Sequence, residues 1–282
     1  MTAAQVSAPV VSTEPVGAYQ LITLDAPAIA SGAEPGQFVA VAVGGPETAM
    51  LLRRCFALYT ADSATGRIQI VVAEHGPGTG WLVQVRPGSE LDLVGPLGRP
   101  FTLPDTPGAA VLVAGGYGSA PMFDLARRLR AAGSAVQMVV GAGSAERLFG
   151  VDEARVVADS VVVTTDDGSV GVRGLVTDML PGLLGSPGVS TVYACGPMAM
   201  LRAVAGLATS YDLPCQVAVE ESMACGIGVC MTCVLPVVGA DGRTRMVRSC
   251  VEGPVFEADR VRWKDVGTLP GDVVGADAMD LR

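Results

Sequence analysis

Positive charge, histidine and aromatic side chains are scarce in this chain. Its 282 residues include 19 Lys and Arg against 28 Asp and Glu, a formal net charge of −9, and aromatic residues make up 5%. Because an acidic chain without a Lys/Arg-rich block repels phosphate backbones, the composition argues against a nucleic-acid partner. The single histidine, His75, has no second base or activated nucleophile to work with. We therefore predict no catalytic side chain and expect bound cofactors to supply any chemistry.

Long apolar runs are missing too. No uncharged apolar run approaches the ~18 to 20 residues of a membrane-spanning helix. Residues 1–20 contain no Lys or Arg and no continuous apolar stretch. The sequence predicts neither a membrane span nor a secretory signal, and we expect a cytoplasmic protein. Thiols stay reduced in that compartment, so clustered cysteines indicate metal binding rather than disulfide bonds, and the odd total of seven agrees.

Two kinds of pattern are present along the chain. Residues 18–103 hold short, partly alternating apolar runs divided by Gly, Pro and Asp, as in a small antiparallel barrel. From 108 to about 210, Val-rich strands alternate with amphipathic helices, which indicates a doubly wound parallel sheet. Cysteines and turn residues dominate after 215. We therefore predict a multi-domain β plus α/β protein: an antiparallel β-barrel in 1–104, a doubly wound parallel sheet in 105–213, and a small C-terminal domain in 214–282.

Four cysteines carry the strongest chemical signal. Cys225, Cys230 and Cys233 lie in "CGIGVCMTC", and Cys250 follows after sixteen residues. This C-x4-C-x2-C…C spacing is the plant-type pattern for a [2Fe–2S] cluster, and the glycines between the ligands let the loop turn tightly. We predict that the four thiolates bind such a cluster. Structural zinc, which more naturally shows two C-x2-C pairs, is the alternative.

Two glycine turns end predicted strands at one edge of the parallel sheet. Both precede a helix, and such turns favour a pyrophosphate, so we predict a dinucleotide there. The predicted contacts are Gly115, Gly116 and Gly118 in "GGYGSAP" and Cys195, Gly196, Pro197 and Met198 in "ACGPM". The strict G-x-G-x-x-G fingerprint is absent, so simple tight packing is the alternative for the first turn, and a small buried thiol is the alternative for Cys195. Asp166 and Asp167, in another turn, either bind ribose hydroxyls or cap that turn.

The barrel segment contains a possible anion site. Arg53 and Arg54 occupy successive strand positions and so face opposite sides, which leaves one of them to reach an anion. "HGPGTGWL" is a glycine turn followed by a short helix that we predict to begin near Thr79. The N-terminus of such a helix also favours a bound anion. Cys55 and Cys215 lie in apolar segments with a strand-like pattern, and we expect both to be core residues.

The order of these motifs resembles the ferredoxin–NADP reductase superfamily. The segment "ESMACGIGVCMTCV…RSCVEGPVF" closely resembles the electron-transfer subunits of class 1B dihydroorotate dehydrogenase, and "GQFVAV", "LLRRCFAL", "GPGTGWL" and "GPLGRPF" match that family in order over roughly residues 15–265. The resemblance implies FAD in the barrel domain, NAD in the parallel-sheet domain and a [2Fe–2S] cluster in the C-terminal domain.

The resemblance also implies which residues hold FAD. The family's flavin motif, Arg-Pro-Ile/Leu/Val-Ser/Thr, corresponds to Arg54, Cys55, Phe56 and Ala57; Arg54 keeps the pyrophosphate role, and Ala57 lacks the hydroxyl that relatives aim at the flavin ring. Further implied FAD contacts are the backbone of Val72, Ala73 and Glu74 and the turn at Gly78 and Thr79.

The activity that the resemblance implies is an electron relay in pyrimidine biosynthesis. A catalytic partner subunit oxidises dihydroorotate at its own FMN, and electrons pass through the cluster and FAD to NAD in a heterotetramer of two copies of each subunit. The cluster loop, with Met223, Ile227 and Met231, is then expected near the partner.

Two other functions stay open. One is a subunit of a ferredoxin–NADP oxidoreductase or sulfide dehydrogenase, where the first cluster ligand is often aspartate instead of Cys225. The other is a zinc-stabilised nucleotide-binding protein without redox chemistry. The choice of NAD over NADP rests on the family. The residues alone leave NADP open, because Arg147 after "GAGSAE" is a cation that could bind a 2′-phosphate.

Overall fold

The first half of the chain forms a closed barrel. The computed structural model describes residues 3–45 and 48–276. The barrel strands are β1 (Ala4–Val16), β2 (Tyr19–Asp25), β3 (Phe38–Val41), β4 (Arg54–Asp62), β5 (Arg67–Ala73) and β6 (Glu90–Leu97), with two short helices, α1 (Pro27–Ala30) and α2 (Pro77–Leu82). The six strands close in the order β1-β2-β5-β4-β3-β6, and every pair is antiparallel. The predicted antiparallel barrel is confirmed.

Strand β1 was not apparent from the sequence. It pairs with β2 and with β6, so it is the strand that closes the barrel. Most of its side chains are only half-buried, and it contains Pro9 and Pro15. Both features weaken the alternation of apolar and polar residues by which a strand is recognised.

The second half forms a seven-stranded sheet. Its strands are β7 (Ala109–Gly115), β8 (Ala135–Ala142), β9 (Ser160–Thr165), β10 (Val172–Arg173), β11 (Val189–Cys195), β12 (Cys215–Ala218) and β15 (Val255–Glu257), in the order β10-β9-β8-β7-β11-β12-β15. All neighbours are parallel except β12 and β15. The helices are α3 (Ala120–Ala131), α4 (Val151–Val157), α5 (Val176–Leu184) and α6 (Met198–Ser210).

Helices cover both faces of this sheet, as the doubly wound pattern predicts. Ala110 and Leu112 of β7 pack in one core with α3 and α4, whereas Val111 and Val113 pack in a second core with α5 and α6. Successive strand residues point to opposite faces, so a strand buried on both sides reads as an unbroken apolar run. The first of these cores also includes Tyr19, Val71 and Phe101, which joins the barrel to the sheet.

The C-terminal segment contains an irregular loop over residues 225–233, called the cysteine loop because it carries Cys225, Cys230 and Cys233. A hairpin of β13 (Val234–Val238) and β14 (Thr244–Arg248) follows. Strands β12 and β15 of this segment extend the seven-stranded sheet, and Cys215 is buried in β12. The division of the chain at residues 104/105 and 213/214 stays a prediction. Within residues 3–45 and 48–276, no helix is long and apolar enough to cross a membrane.

Candidate functional site

A cavity lies where the barrel, the carboxyl edge of the sheet and the cysteine loop meet. The barrel contributes Gly36, Phe38, Cys55, Phe56, Ala57 and Val71, and the sheet edge with the start of α3 contributes Tyr117, Gly118, Ala120, Pro121, Cys195 and Gly196. Strand β12 and the segments after it contribute Ala218, Val219, Glu220, Glu221, Met223 and Pro254. The side chains that line the cavity are mostly small or apolar, and such a surface suits a flat ring system. The fold thus brings together residues that the sequence assigned separately to flavin and to nucleotide. Met223 lines this cavity, and its expected position near a partner stays a prediction.

The two glycine turns of the sheet edge are packed against each other. Strands β7 and β11 are neighbours, with Ala114 opposite Cys195. A Cβ added at Gly118 would lie 2.8 Å from the Cα of Gly196, and one added at Gly115 would lie 2.8 Å from Met200 Sδ. Tight packing therefore explains both glycines without a ligand, and their predicted contact with a dinucleotide stays a prediction.

Cys195 sits at the end of β11, partly buried in the cavity wall. Burial, and then the nearby Glu220 carboxylate, raise the pKa of the Cys195 thiol to about 12. The thiol is therefore protonated at neutral pH and is not a nucleophile. Tyr117, in the first glycine turn, donates its hydroxyl hydrogen to Glu220 Oε1 at 2.5 Å. Neither Tyr117 nor Glu220 was predicted as a site residue, although each is the second residue after a strand that ends at this edge.

The two arginines of the barrel have different environments. Arg53 donates to Asp92 Oδ2 at 2.5 Å and to the backbone oxygen of Asp92 at 2.9 Å, so its charge is paired with a carboxylate of β6. Arg54 forms no ion pair within the described ranges. Its guanidinium lies against α2, since a Cβ added at Gly78 would be 2.9 Å from Arg54 Nε. Arg54 is thus the cation that remains available beside the start of α2.

Helix α2 begins at Pro77, two residues before the predicted start, because proline suits the first helical turn. Thr79 Oγ1 accepts hydrogen bonds from the backbone N–H groups of His75 (2.8 Å) and Gly76 (3.1 Å), so it holds the turn in place. His75 is exposed in the loop before α2.

The remaining predicted flavin contacts lie at the end of β5. Val72 is fully buried in the barrel core, Ala73 is half-buried, and Glu74 is exposed. Because the Val72 side chain faces the core, any contact with FAD would have to be made by its backbone. These three contacts stay predictions.

The predicted ribose contacts lie farther from the cavity. Asp167 Oδ1 accepts from the backbone N–H (2.9 Å) and the hydroxyl (2.6 Å) of Ser169, so Asp167 caps its own turn. Asp166 is exposed at the end of β9, two strands away from β7, and is not among the residues that line the cavity. Pro197 directly precedes α6, which begins at Met198.

The four predicted cluster cysteines lie close together. Cys225 and Cys230 have their sulfurs 3.3 Å apart, and the Cys230 N–H points at Cys225 Sγ at 3.4 Å. Cys233 and Cys250 are buried side by side against barrel residues that include Phe38. The backbone N–H of Ser249 donates to the Cys233 oxygen at 2.8 Å, which ties the two cysteine segments together.

The pKa values of two of these thiols are shifted in opposite directions, since burial, and then the hydrogen bond with Cys233, raise the pKa of Cys250 to about 12. Hydrogen bonds, first from the Thr232 side chain, lower the pKa of Cys230 to about 6, so a thiolate is available there. In the part of the chain that the structure describes, no three His, Cys, Asp or Glu side chains are arranged to hold a single metal ion. A [2Fe–2S] cluster has a different requirement, because its four thiolates are shared between two irons. The donor set therefore fits a binuclear iron–sulfur cluster.

Cys55 occupies the junction between the cavity and the cysteine loop. It lines the cavity and, half-buried, packs against the small hydrophobic core cluster that contains Cys233 and Cys250. A Cβ added at Gly226 of the loop would lie 2.9 Å from Cys55 Sγ. Burial raises the pKa of the Cys55 thiol to about 12.

This barrel, doubly wound sheet and cysteine loop define a protein with the fold of ferredoxin–NADP reductase-type flavoproteins. The structure of an NADH-dependent reduced ferredoxin–NADP oxidoreductase superposes with a TM-score of 0.82 at 27% identity, covering 97% of this chain and 96% of that chain. A ferredoxin NADP⁺ reductase from Neisseria gonorrhoeae shares the fold alone, with a TM-score of 0.62 at 15% identity over 78% of this chain and 93% of that chain.

Sequence comparisons narrow the family. Residues 220–262 match the model of the iron–sulfur cluster binding domain of dihydroorotate dehydrogenase B. The dihydroorotate dehydrogenase B (NAD⁺) electron transfer subunit of Desulforamulus reducens is 35% identical over 241 residues, 85% of this chain and 91% of the relative. That of Bacillus caldolyticus is 38% identical over 245 residues, 86% of this chain and 92% of the relative. The chain belongs to the family of dihydroorotate dehydrogenase B electron transfer subunits.

Proposed function

We propose that this chain is the electron-transfer subunit of an NAD-linked dihydroorotate dehydrogenase in pyrimidine biosynthesis. It works with a catalytic subunit that carries FMN and oxidises dihydroorotate. Two results support this function together: 35% to 38% identity with relatives of that name over most of the chain, and two of the four cluster cysteines, Cys233 and Cys250, buried against barrel residues next to Cys55 of the flavin motif. The second result is the observation that carries the proposal.

The residues divide into three binding roles. Cys225, Cys230, Cys233 and Cys250 hold a [2Fe–2S] cluster, and Arg54 beside α2 holds the pyrophosphate of FAD. NAD binds at the two glycine turns of the sheet edge. The bound groups supply the redox chemistry, because a cluster carries single electrons while a flavin also exchanges electron pairs with NAD.

The protein's own contribution is position and environment. The cavity wall is largely apolar, so it excludes water from the ring that it holds. Ala57 presents no hydroxyl to this cavity, and the protonated Cys195 thiol is the weakly polar group at its sheet edge. The Cys55 side chain separates the cavity from the cysteine loop, so the flavin and cluster sites share one wall.

The cysteine loop also presents an apolar surface. Ile227, Val229 and Met231 are 51%, 80% and 60% exposed, and Val251 lies next to Cys250 with 40% exposure. Large exposed apolar side chains grouped on one loop are typical of a protein–protein contact. They support docking of the catalytic subunit at this loop, and a heterotetramer of two copies of each subunit is the proposed assembly.

Co-expression with an FMN-bearing dihydroorotate dehydrogenase subunit tests this function. The complex is expected to reduce NAD when dihydroorotate is supplied. Cys230→Ser should remove the cluster and abolish that activity, whereas Cys215→Ser, which changes a buried thiol away from the loop, should keep both. Full NAD reduction by a Cys230→Ser complex that lacks iron would contradict the relay.

The structural similarity to the ferredoxin–NADP oxidoreductase favours a second candidate, a subunit of that type of enzyme, because the superposition covers nearly the whole of both chains. The two functions predict different electron donors. Reduction of NADP by reduced ferredoxin, without any response to dihydroorotate in the co-expressed complex, would favour the second candidate.

A further inference from the structure

The hydrogen bond between Tyr117 and Glu220 spans the end of a strand. Tyr117 follows β7 and Glu220 follows β12, and β11 lies between these two strands in the sheet. A bond that joins residues following β7 and β12 must therefore cross the end of β11. The residues at that end are Cys195 and Gly196, which face the cavity.

The Tyr117 side chain is held from two sides. Its hydroxyl is fixed by Glu220, and its ring meets the ring of Tyr19 edge-on with centroids 5.7 Å apart. Tyr19 is itself anchored, because its hydroxyl donates to the Arg147 backbone oxygen at 2.8 Å. Burial, and then the bond to Glu220, raise the pKa of Tyr117, so its hydroxyl keeps its proton and remains a donor at neutral pH.

The bond therefore covers the nucleotide side of the cavity. Tyr117, Gly118, Cys195 and Glu220 all line the same space, which continues on the barrel side to Ala57. Under the proposed function, NAD approaches from the glycine turns, and its nicotinamide ring has to pass the end of β11 to reach the flavin position.

We propose that the Tyr117–Glu220 hydrogen bond is a closure over Cys195 and Gly196 that the nicotinamide ring must break to enter the cavity. This inference rests on the proposed binding of NAD. Tyr117 acts as a positioning residue that sets how strongly the nicotinamide half of the nucleotide is bound. In this proposal the pyrophosphate binds at Gly115 and Gly116, outside the closure, while Cys195 and Gly196 contact only the nicotinamide half, so the two halves should respond differently when the bond is removed.

Calorimetric titration of the reconstituted protein tests the closure, with NAD⁺ and ADP-ribose as probes. ADP-ribose lacks the nicotinamide ring. Tyr117→Phe keeps the aromatic ring and removes only the hydroxyl, so NAD⁺ should bind about tenfold more tightly, as expected when a hydrogen bond to a charged group no longer has to be broken. The affinity for ADP-ribose should stay within about twofold. FAD and iron contents equal to those of the unmodified protein would verify that the variant is intact.

Tyr59→Phe is the matched control. The Tyr59 hydroxyl also donates to a carboxylate, that of Glu153, but Tyr59 is not among the residues lining the cavity. Both affinities should be unchanged in this variant. An unchanged ratio of NAD⁺ to ADP-ribose affinity in Tyr117→Phe would overturn the closure. Failure of the unmodified protein to bind either nucleotide would contradict the proposed function itself, and the closure with it.

Discussion

Gly226 lies so close to Cys55 that a side chain at this position should weaken the retention of the cluster. Gly226 has φ +70°, and a Cβ there would lie 2.9 Å from Cys55 Sγ. In Gly226→Ala, the left-handed backbone costs about 1–2 kcal/mol. The crowding against Cys55 costs about a further 1–3 kcal/mol, as in other overpacked sites. Both costs destabilise the closed conformation of the loop that carries three cluster ligands, so the loop should open more often.

The rate of iron release to a chelator under anaerobic conditions measures this opening. With about 1.4 kcal/mol for each factor of ten, the crowding alone should accelerate release about 5- to 150-fold. Adding Cys55→Ala to Gly226→Ala should remove the acceleration of iron release that crowding causes. The acceleration caused by the left-handed backbone at position 226 should remain. Cys55→Ala alone completes the double-mutant cycle.

Gly242→Ala is the control for the backbone effect. Gly242 has φ +75° in the turn between β13 and β14, and nothing lies within 4 Å of a Cβ there. Iron release from this variant should stay near the original rate, because the turn lies at the opposite end of the hairpin from the cysteines. The reasoning is refuted if Cys55→Ala fails to slow iron release in the Gly226→Ala background.

Three further predictions concern the separate sites. Arg54→Ala should weaken FAD binding about 10- to 100-fold through loss of a charge-assisted hydrogen bond; Arg155→Ala, an exposed arginine paired with Asp152, should not, and equal FAD affinity in both variants would contradict the assignment. Cys55→Ser should retain iron equivalent to one [2Fe–2S] cluster per chain by metal analysis, because Cys55 is not a predicted ligand; loss of the iron would show otherwise. Val229→Asp should weaken association with the catalytic subunit by size-exclusion chromatography while leaving the visible spectrum unchanged; an unaltered complex would place the interface elsewhere.

Much of the fold could be predicted from local patterns. Helices α3 and α6 and strand β7 have the periodicity of their structures, and the helix and strand periods are visible in any short window of sequence. Strand β1 was missed because its half-buried side chains give no clear alternation. Helix α4 is only seven residues long, too short to establish a helical period.

The site was predicted unevenly for a similar reason. The cluster cysteines are recognisable because three of them lie within nine residues, so their spacing carries the signal. The hydrogen bond between Tyr117 and Glu220 joins residues 103 positions apart. Neither residue has a pattern around it that points to the other, so no reading of local sequence could pair them.

The amino-acid sequence by itself determined the donor set for a cluster, the two glycine turns and the alternation that produces a barrel and a parallel sheet. These features depend on neighbours a few residues away, where chain geometry is set by covalent spacing and residue type. Only the tertiary structure decided that Arg53 pairs with Asp92 whereas Arg54, which has no carboxylate partner among the described residues, lies beside α2, and that Cys55 forms the wall between the cavity and the cysteine loop. Such choices depend on which distant segments pack together, and packing is settled by the whole core rather than by any one stretch of the chain.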